Sequence, residues 1–164
     1  MTERTETTPG APARRRTLLA LAAVCAAVVL GFTALLTLTL RLPRRFSPAG
    51  CETRPPENFL YDLTWRQEDG RIVLQGWACV REDRFKNVDI RAVVRTADGA
   101  YYTLPTVLRE DETAKAAIGG VPFGEYGGFT AFLAGRLARQ PVTCYILYRC
   151  NGYDLLVDTG VSVP

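Results

Sequence analysis

Two hydrophobic patterns divide the chain. From Thr17 to Leu40 apolar residues run on without a charge, a proline, an Asn or a Gln. Downstream they come in short runs, several alternating with polar residues. The first pattern predicts a transmembrane helix over 17–40, since about 20 apolar residues span a bilayer. At ~1.5 Å per residue that helix is roughly 36 Å long, enough for a ~30 Å hydrocarbon core with some tilt. A core helix would carry a polar stripe, which this one lacks. A cleaved signal peptide has a shorter apolar stretch leading into a small-x-small site. Here Arg41, Pro43, Arg44 and Arg45 follow instead, so a signal anchor is the better reading.

The second pattern predicts β structure. Val88, Ile90, Ala92 and Val94 alternate with Asp89, Arg91, Val93 and Arg95, the period of two of a half-buried strand. Further strands are expected at Phe59–Arg66, Ile72–Val80, Ala100–Leu104, Gly128–Leu133, Val142–Arg149 and Tyr153–Asp158. Turn signals fall between them at Glu68-Asp69-Gly70, Ala97-Asp98-Gly99 and Asn151-Gly152. The last is a hairpin signal, because Asn-Gly accepts the positive φ angles of a two-residue type I′ loop. A short helix is expected at Glu110–Ile118, stopped by Gly119, and a turn of helix at Ala134–Arg139. The fold class is therefore all-β, one small β-sandwich or barrel of about seven strands behind one transmembrane α-helix.

The implied organisation is a disordered cytoplasmic tail over 1–16, the span over 17–40, a tether over 41–57 and a β domain over 58–164. Pro43, Pro48, Pro55 and Pro56 suggest an extended, stiff tether.

Charge refines this picture. Residues 1–42 hold five Arg and two Glu, while residues 43–164 hold fifteen basic and fifteen acidic residues. The net +3 thus lies beside the expected span, where it can meet anionic lipid headgroups. The neutral β domain has no field to attract nucleic acid, so no nucleic-acid partner is expected. Flanking charge does not settle orientation: Arg4, Arg14, Arg15 and Arg16 nearly balance Arg41, Arg44, Arg45 and Arg54. The Arg14–Arg16 cluster abutting the apolar run favours a cytoplasmic N-terminus.

The cysteines point the same way. Cys25 lies in the span, and Cys51, Cys79, Cys144 and Cys150 follow it. An even number on one side fits an oxidising compartment, so the four are expected to form two disulfides. Cys144 and Cys150 on one strand would be roughly 20 Å apart, too far to bond each other. Cys79 is then paired with one of them and Cys51 with the other. Ala49-Gly50-Cys51 resembles the end of a lipoprotein lipobox, but Pro48 replaces its leucine, and a disulfide role for Cys51 is favoured. No Cys-x-x-Cys and no histidine occur, so no metal is expected.

Catalytic candidates are scarce. Without histidine the commonest general base is missing. The only serines are Ser47 and Ser162, and no phosphate-binding Gly-rich loop occurs. Acidic clusters at Glu82-Asp83 and Glu110-Asp111-Glu112 read as solvated loops. No enzyme activity and no cofactor are expected. The Gly-rich segment Ala117–Phe129 carries Phe123, Tyr126 and Phe129, whose rings could bind a ligand on a loop. In the span, Ala23, Ala27 and Gly31 recur every four residues, a stripe that would permit homodimerisation.

The downstream part resembles the small Ig-like β-sandwich modules of membrane-anchored bacterial surface proteins. The resemblance rests on Gly76-Trp77-Ala78, on Val88–Thr96 followed by Asp98-Gly99, on Gly128-Phe129 and on Asn151-Gly152. It covers most of 58–163, but Trp77 precedes Cys79, unlike the Cys–Trp–Cys order of immunoglobulin domains. It implies a single-pass protein of the plasma membrane with its β domain extracytoplasmic. The expected function is a non-catalytic module for protein interaction or cell-envelope assembly; the alternative is a carbohydrate-binding module. The expected partners are the lipid bilayer and a protein or cell-surface glycan.

Overall fold

The computed structural model describes residues 11–81, 88–118, 127–150 and 152–164. The chain divides into two compact units, 1–41 and 42–164.

In the first unit, helix α1 spans Ala11–Arg41. It starts earlier than the apolar run because Pro12 suits a first turn and nothing up to Arg16 breaks a helix. It ends just before Leu42-Pro43, as a residue preceding proline disfavours helical angles. Residues Arg16–Leu38 are long and apolar enough to cross a membrane, and none of them is buried within the protein. Leu18, Leu30, Phe32 and Leu35 are exposed on every side of the helix. The Thr33 hydroxyl donates to the Val29 carbonyl at 2.8 Å, so this polar group is satisfied inside its own helix.

The second unit is mostly β. Its nine strands among the described residues are β1 (Arg44–Phe46), β2 (Phe59–Glu68), β3 (Arg71–Val80), β4 (Val88–Thr96), β5 (Tyr101–Thr103), β6 (Thr106–Arg109), β7 (Gly128–Leu133), β8 (Val142–Cys150) and β9 (Tyr153–Val163). They form two antiparallel sheets, ordered β1-β5-β4-β8-β9 and β2-β3-β7-β6. The seven expected strands are all present, and β9 runs five residues further than expected, to Val163. Helix α2 (Glu112–Ile118) follows β6, and a single 3₁₀ turn covers Leu137–Arg139. The Asp111 carboxylate caps α2, accepting from the Thr113 and Ala114 amides at 3.0 and 3.2 Å.

Alternation sorts the side chains. Leu74, Ala78 and Val80 of β3, Phe129, Ala131 and Leu133 of β7, Ile90, Ala92 and Val94 of β4, and Cys144, Ile146 and Tyr148 of β8 meet in one core drawn from both sheets. Phe59 and Tyr148 stand edge to face across it, ring centroids 5.3 Å apart. The β2–β3 hairpin closes on Asp69 and Gly70, at φ 47° and 72°, the two positive values a type I′ loop demands. In β9, Thr159-Gly160-Val161 stand opposite the single residue Cys144, a bulge in which Thr159 donates its hydroxyl to the Cys144 carbonyl at 2.7 Å.

The segment expected as a tether over 41–57 enters the β unit. Arg44–Phe46 pairs with Thr103–Tyr101 at one edge of the five-stranded sheet. Glu52 then pairs in parallel with Leu155 at the opposite edge. Between these points the chain is a strap over the outer face of the sheet.

Candidate functional site

Beneath the strap, the five-stranded sheet is apolar on its outer face as well. Val93, Tyr145, Leu147 and Leu156 form a second buried cluster, with Phe46, Cys51 and Tyr101 packed on it. Register explains the grouping: Val93 faces Tyr145, Leu147 faces Leu156, and Phe46 faces Tyr101. Pro48 accepts a hydrogen bond from the Cys51 amide at 3.0 Å, turning the strap back toward β9.

Strap and sheet leave an open concavity of about 620 Å³. Ser47, Pro48, Ala49 and Thr53 line one wall, and Tyr101, Tyr145, Leu156 and Asp158 the other. Tyr101 and Tyr145 meet edge to face at 5.5 Å. The Arg95 guanidinium lies 5.7 Å from the centre of the Tyr101 ring, a cation–π position. The Tyr145 phenol is also the largest reason the Arg95 pKa rises, with Tyr101 and Asp158 adding to it. Burial pushes the Tyr145 phenol up, with Asp158 and Tyr101 adding to the rise and Arg95 opposing it. The phenol is therefore neutral at physiological pH and serves as a hydrogen-bonding group. The site thus combines an aromatic corner, one fixed cation, one carboxylate and a proline-lined wall. That set can hold a ligand by stacking and hydrogen bonds. Among the described residues no group of three His, Cys, Asp or Glu side chains could hold a metal ion.

Of the expected aromatic site residues, the structure describes Phe129. Phe123 and Tyr126 lie outside the described residues. Phe129 does not stand on a loop: it sits in β7, fully buried in the core opposite Gly76. Its expected role in binding is corrected to packing.

The expected disulfides are also corrected. Among the described residues no disulfide joins Cys51, Cys79, Cys144 or Cys150. The reason is layering. Cys144 and Cys150 point between the sheets, while Cys51 packs on the outer face of the five-stranded sheet. Cys79 alternates with Ala78 and Val80 and so takes the outer face of the other sheet. A disulfide needs Cα atoms within about 7 Å; Cys144 and Cys150 lie roughly 20 Å apart along β8, Cys51 is on the opposite face of that sheet, and Cys79 is in the other sheet, ~10 Å away. The inference from paired cysteines to an oxidising compartment falls with the bonds.

Tyr101, Tyr145, Arg95 and Asp158 were not expected as site residues. The available signal was the outer face of β8, where Tyr145 and Leu147 occupy positions that solvent-facing polar residues normally take. A strand apolar on both faces announces a cover on each.

No protein-family model matches the chain, and neither the curated proteins nor the solved structures give a match.

Proposed function

We propose that the chain is a membrane-anchored, non-catalytic module whose two sheets form an Ig-like β-sandwich and bind a protein partner through the strap-covered face. The span lies within α1, and the Arg14–Arg16 cluster beside it supports a cytoplasmic N-terminus and an extracytoplasmic β unit. The observation that supports this reading best is the concavity between strap and sheet, with Tyr101 and Tyr145 in its wall. Tyrosine gives large contact area with little conformational freedom to lose, and tyrosine and arginine are enriched at protein interfaces. Assembly in the cell envelope is the setting that such an anchored binder fits.

The test uses the full chain in its membrane with a photo-crosslinker at Ala49, on the rim of the concavity. The control position is Val107, 61% exposed on the other sheet. A discrete crosslinked protein from Ala49 and not from Val107 is the expected result. Equal products from both positions, or none from Ala49, would remove the proposal. Binding on a glycan array that Tyr101→Ala abolishes would transfer the site to the carbohydrate reading. Labelling an added surface cysteine with an impermeant reagent in intact cells decides the orientation.

A further inference from the structure

The two sheets have four edge strands, and three of them are protected. Strand β1 is only three residues long. Strand β6 has four residues and follows Pro105. Strand β9 is interrupted by its bulge and carries Glu52 on its free side. Short length, proline, bulges and covering segments are the devices by which sheet edges avoid pairing with other chains.

Strand β2 has none of these. It is ten residues long, without proline or lysine, and pairs with β3 in unbroken register from Phe59↔Val80 to Glu68↔Arg71. The direction of its backbone groups follows from one bond. The Arg81 amide donates to the Asn58 carbonyl at 2.8 Å, which makes the even-numbered β2 residues the ones bonded to β3. The amides and carbonyls of Tyr61, Leu63, Trp65 and Gln67 therefore face the open edge. Among the described residues none of these four makes a backbone bond outside the sheet ladder. Tyr61 is 36% and Trp65 39% exposed, although both lie on the same face of the strand as the core-facing Phe59 and Leu63.

We infer that β2 is a homodimer interface, at which a second copy of this chain adds its own β2 antiparallel and joins the two four-stranded sheets into one. The sequence of the strand names the copy and the register. A two-fold antiparallel pairing puts core-face residues opposite core-face residues when a residue sits on the axis, and the central candidates run from Asp62 to Arg66. Centred on Thr64, Asp62 faces the second copy's Arg66, and Arg66 faces the second copy's Asp62. Two opposite-charge pairs thus form at positions where side chains approach most closely. In the same register Tyr61 bonds the second copy's Gln67 and Leu63 its Trp65, covering both exposed rings. Centring on Asp62 or Arg66 would set identical charges face to face, centring on Trp65 would set Asp62 against Glu68, and centring on Leu63 would put Asp62 opposite Thr64 and Arg66 opposite Leu60; the Thr64 register is the one that pairs opposite charges. Such a self-complementary patch is what a closed two-fold interface requires.

The test is cysteine trapping in the full chain in membranes, with Cys25→Ala and Cys51→Ser removing the accessible native thiols. Across the axis the two Thr64 Cα atoms would be ~4.5 Å apart, within the disulfide window of about 4.4–6.8 Å. Thr64→Cys is expected to give a disulfide-linked dimer on mild oxidation. A cysteine at Thr130, on the middle strand β7, is expected not to. Adding Asp62→Arg places like charges opposite each other twice, and should cut the trapped fraction by about fivefold or more. Arg66→Asp in the same chain should restore it. Every changed β2 position is exposed, so circular dichroism should be unchanged throughout. A Thr64→Cys chain that stays monomeric, or a trapped fraction indifferent to Asp62→Arg, overturns the inference. Dimerisation through the Ala23, Ala27, Gly31 stripe alone would leave the trapped fraction insensitive to the Asp62 and Arg66 changes.

Discussion

Glu52 lies parallel to Leu155, its amide donating to the Asp154 carbonyl and its carbonyl accepting from the Leu156 amide, both at 2.8 Å. These two bonds tie the strap to β9, while Arg44–Phe46 ties it to β5. The apolar outer cluster of Val93, Tyr145, Leu147 and Leu156 is buried between those ties. The strap is therefore part of the fold. A chain beginning at Asn58 is expected to be about 2–4 kcal/mol less stable than one beginning at Leu42, from lost burial of this face. Urea unfolding of the two chains measures the difference. Phe46→Ala alone should cost roughly 1–2 kcal/mol. Equal midpoints would show that the cluster does not depend on its cover.

Gly76 and Phe129 oppose each other in the β3–β7 ladder. A Cβ at Gly76 would collide with the Asp62 carbonyl oxygen and come within 3.1 Å of both Leu63 Cδ1 and Phe129 Cζ. The collision is with backbone, so the β2–β3 pair itself would have to move. Gly76→Ala is expected to destabilise the β unit by about 2–4 kcal/mol, whereas an exposed glycine changed to alanine typically shifts stability by far less. A denaturation midpoint that does not move would contradict this packing.

Phe129→Ala separates packing from recognition. The ring is fully buried in the core, so its loss should cost about 3–5 kcal/mol. Under conditions where the variant remains folded, partner crosslinking from Ala49 should be preserved. A variant of unchanged stability that loses binding would return Phe129 to the ligand site.

Period-two alternation carried most of the fold, because β3, β4, β7 and β8 each bury one face in a shared core. It could not find Arg44–Phe46 or Thr106–Arg109, which are too short to alternate and lie next to prolines. Four prolines made 41–57 read as a tether, yet Glu52 between them supplies the amide and carbonyl that dock it. The layering of the cysteines is legible in the sequence. Cys79 falls in step with Val73, Gln75 and Trp77, opposite in phase to Leu74, Ala78 and Val80 of the core. An even count of cysteines says nothing about the layers they occupy. The binding surface was hidden for a different reason: Tyr101 and Tyr145 are far apart in sequence and meet only through the order β5-β4-β8.

The absence of disulfides makes a direct chemical prediction. Native chain treated with an alkylating reagent near pH 8 should label Cys51, which is partly exposed, well before Cys79, Cys144 or Cys150, which are buried. Unfolding should release all of them to rapid labelling. Peptide maps prepared without reductant should contain no cysteine-linked pair. A Cys79–Cys144 or Cys51–Cys150 linkage would show the core arranged differently.

The same thiols predict a loss of stability at alkaline pH. Burial raises the Cys79 thiol from its ordinary 9.0 to about 11 and the Cys144 thiol to about 12. In the unfolded chain both ionise first, so the unfolded state binds fewer protons as pH rises. Their contribution is then complete below pH 9.0 and is lost as pH climbs from there toward about 11 and about 12. Unfolding free energy should fall with rising pH across that window, and the fall should be shallower in Cys79→Ala with Cys144→Val. Urea titrations between about pH 8 and about pH 10.5 read the slope directly. A wild-type slope matched by the double variant would assign the alkaline loss to groups other than these two thiols.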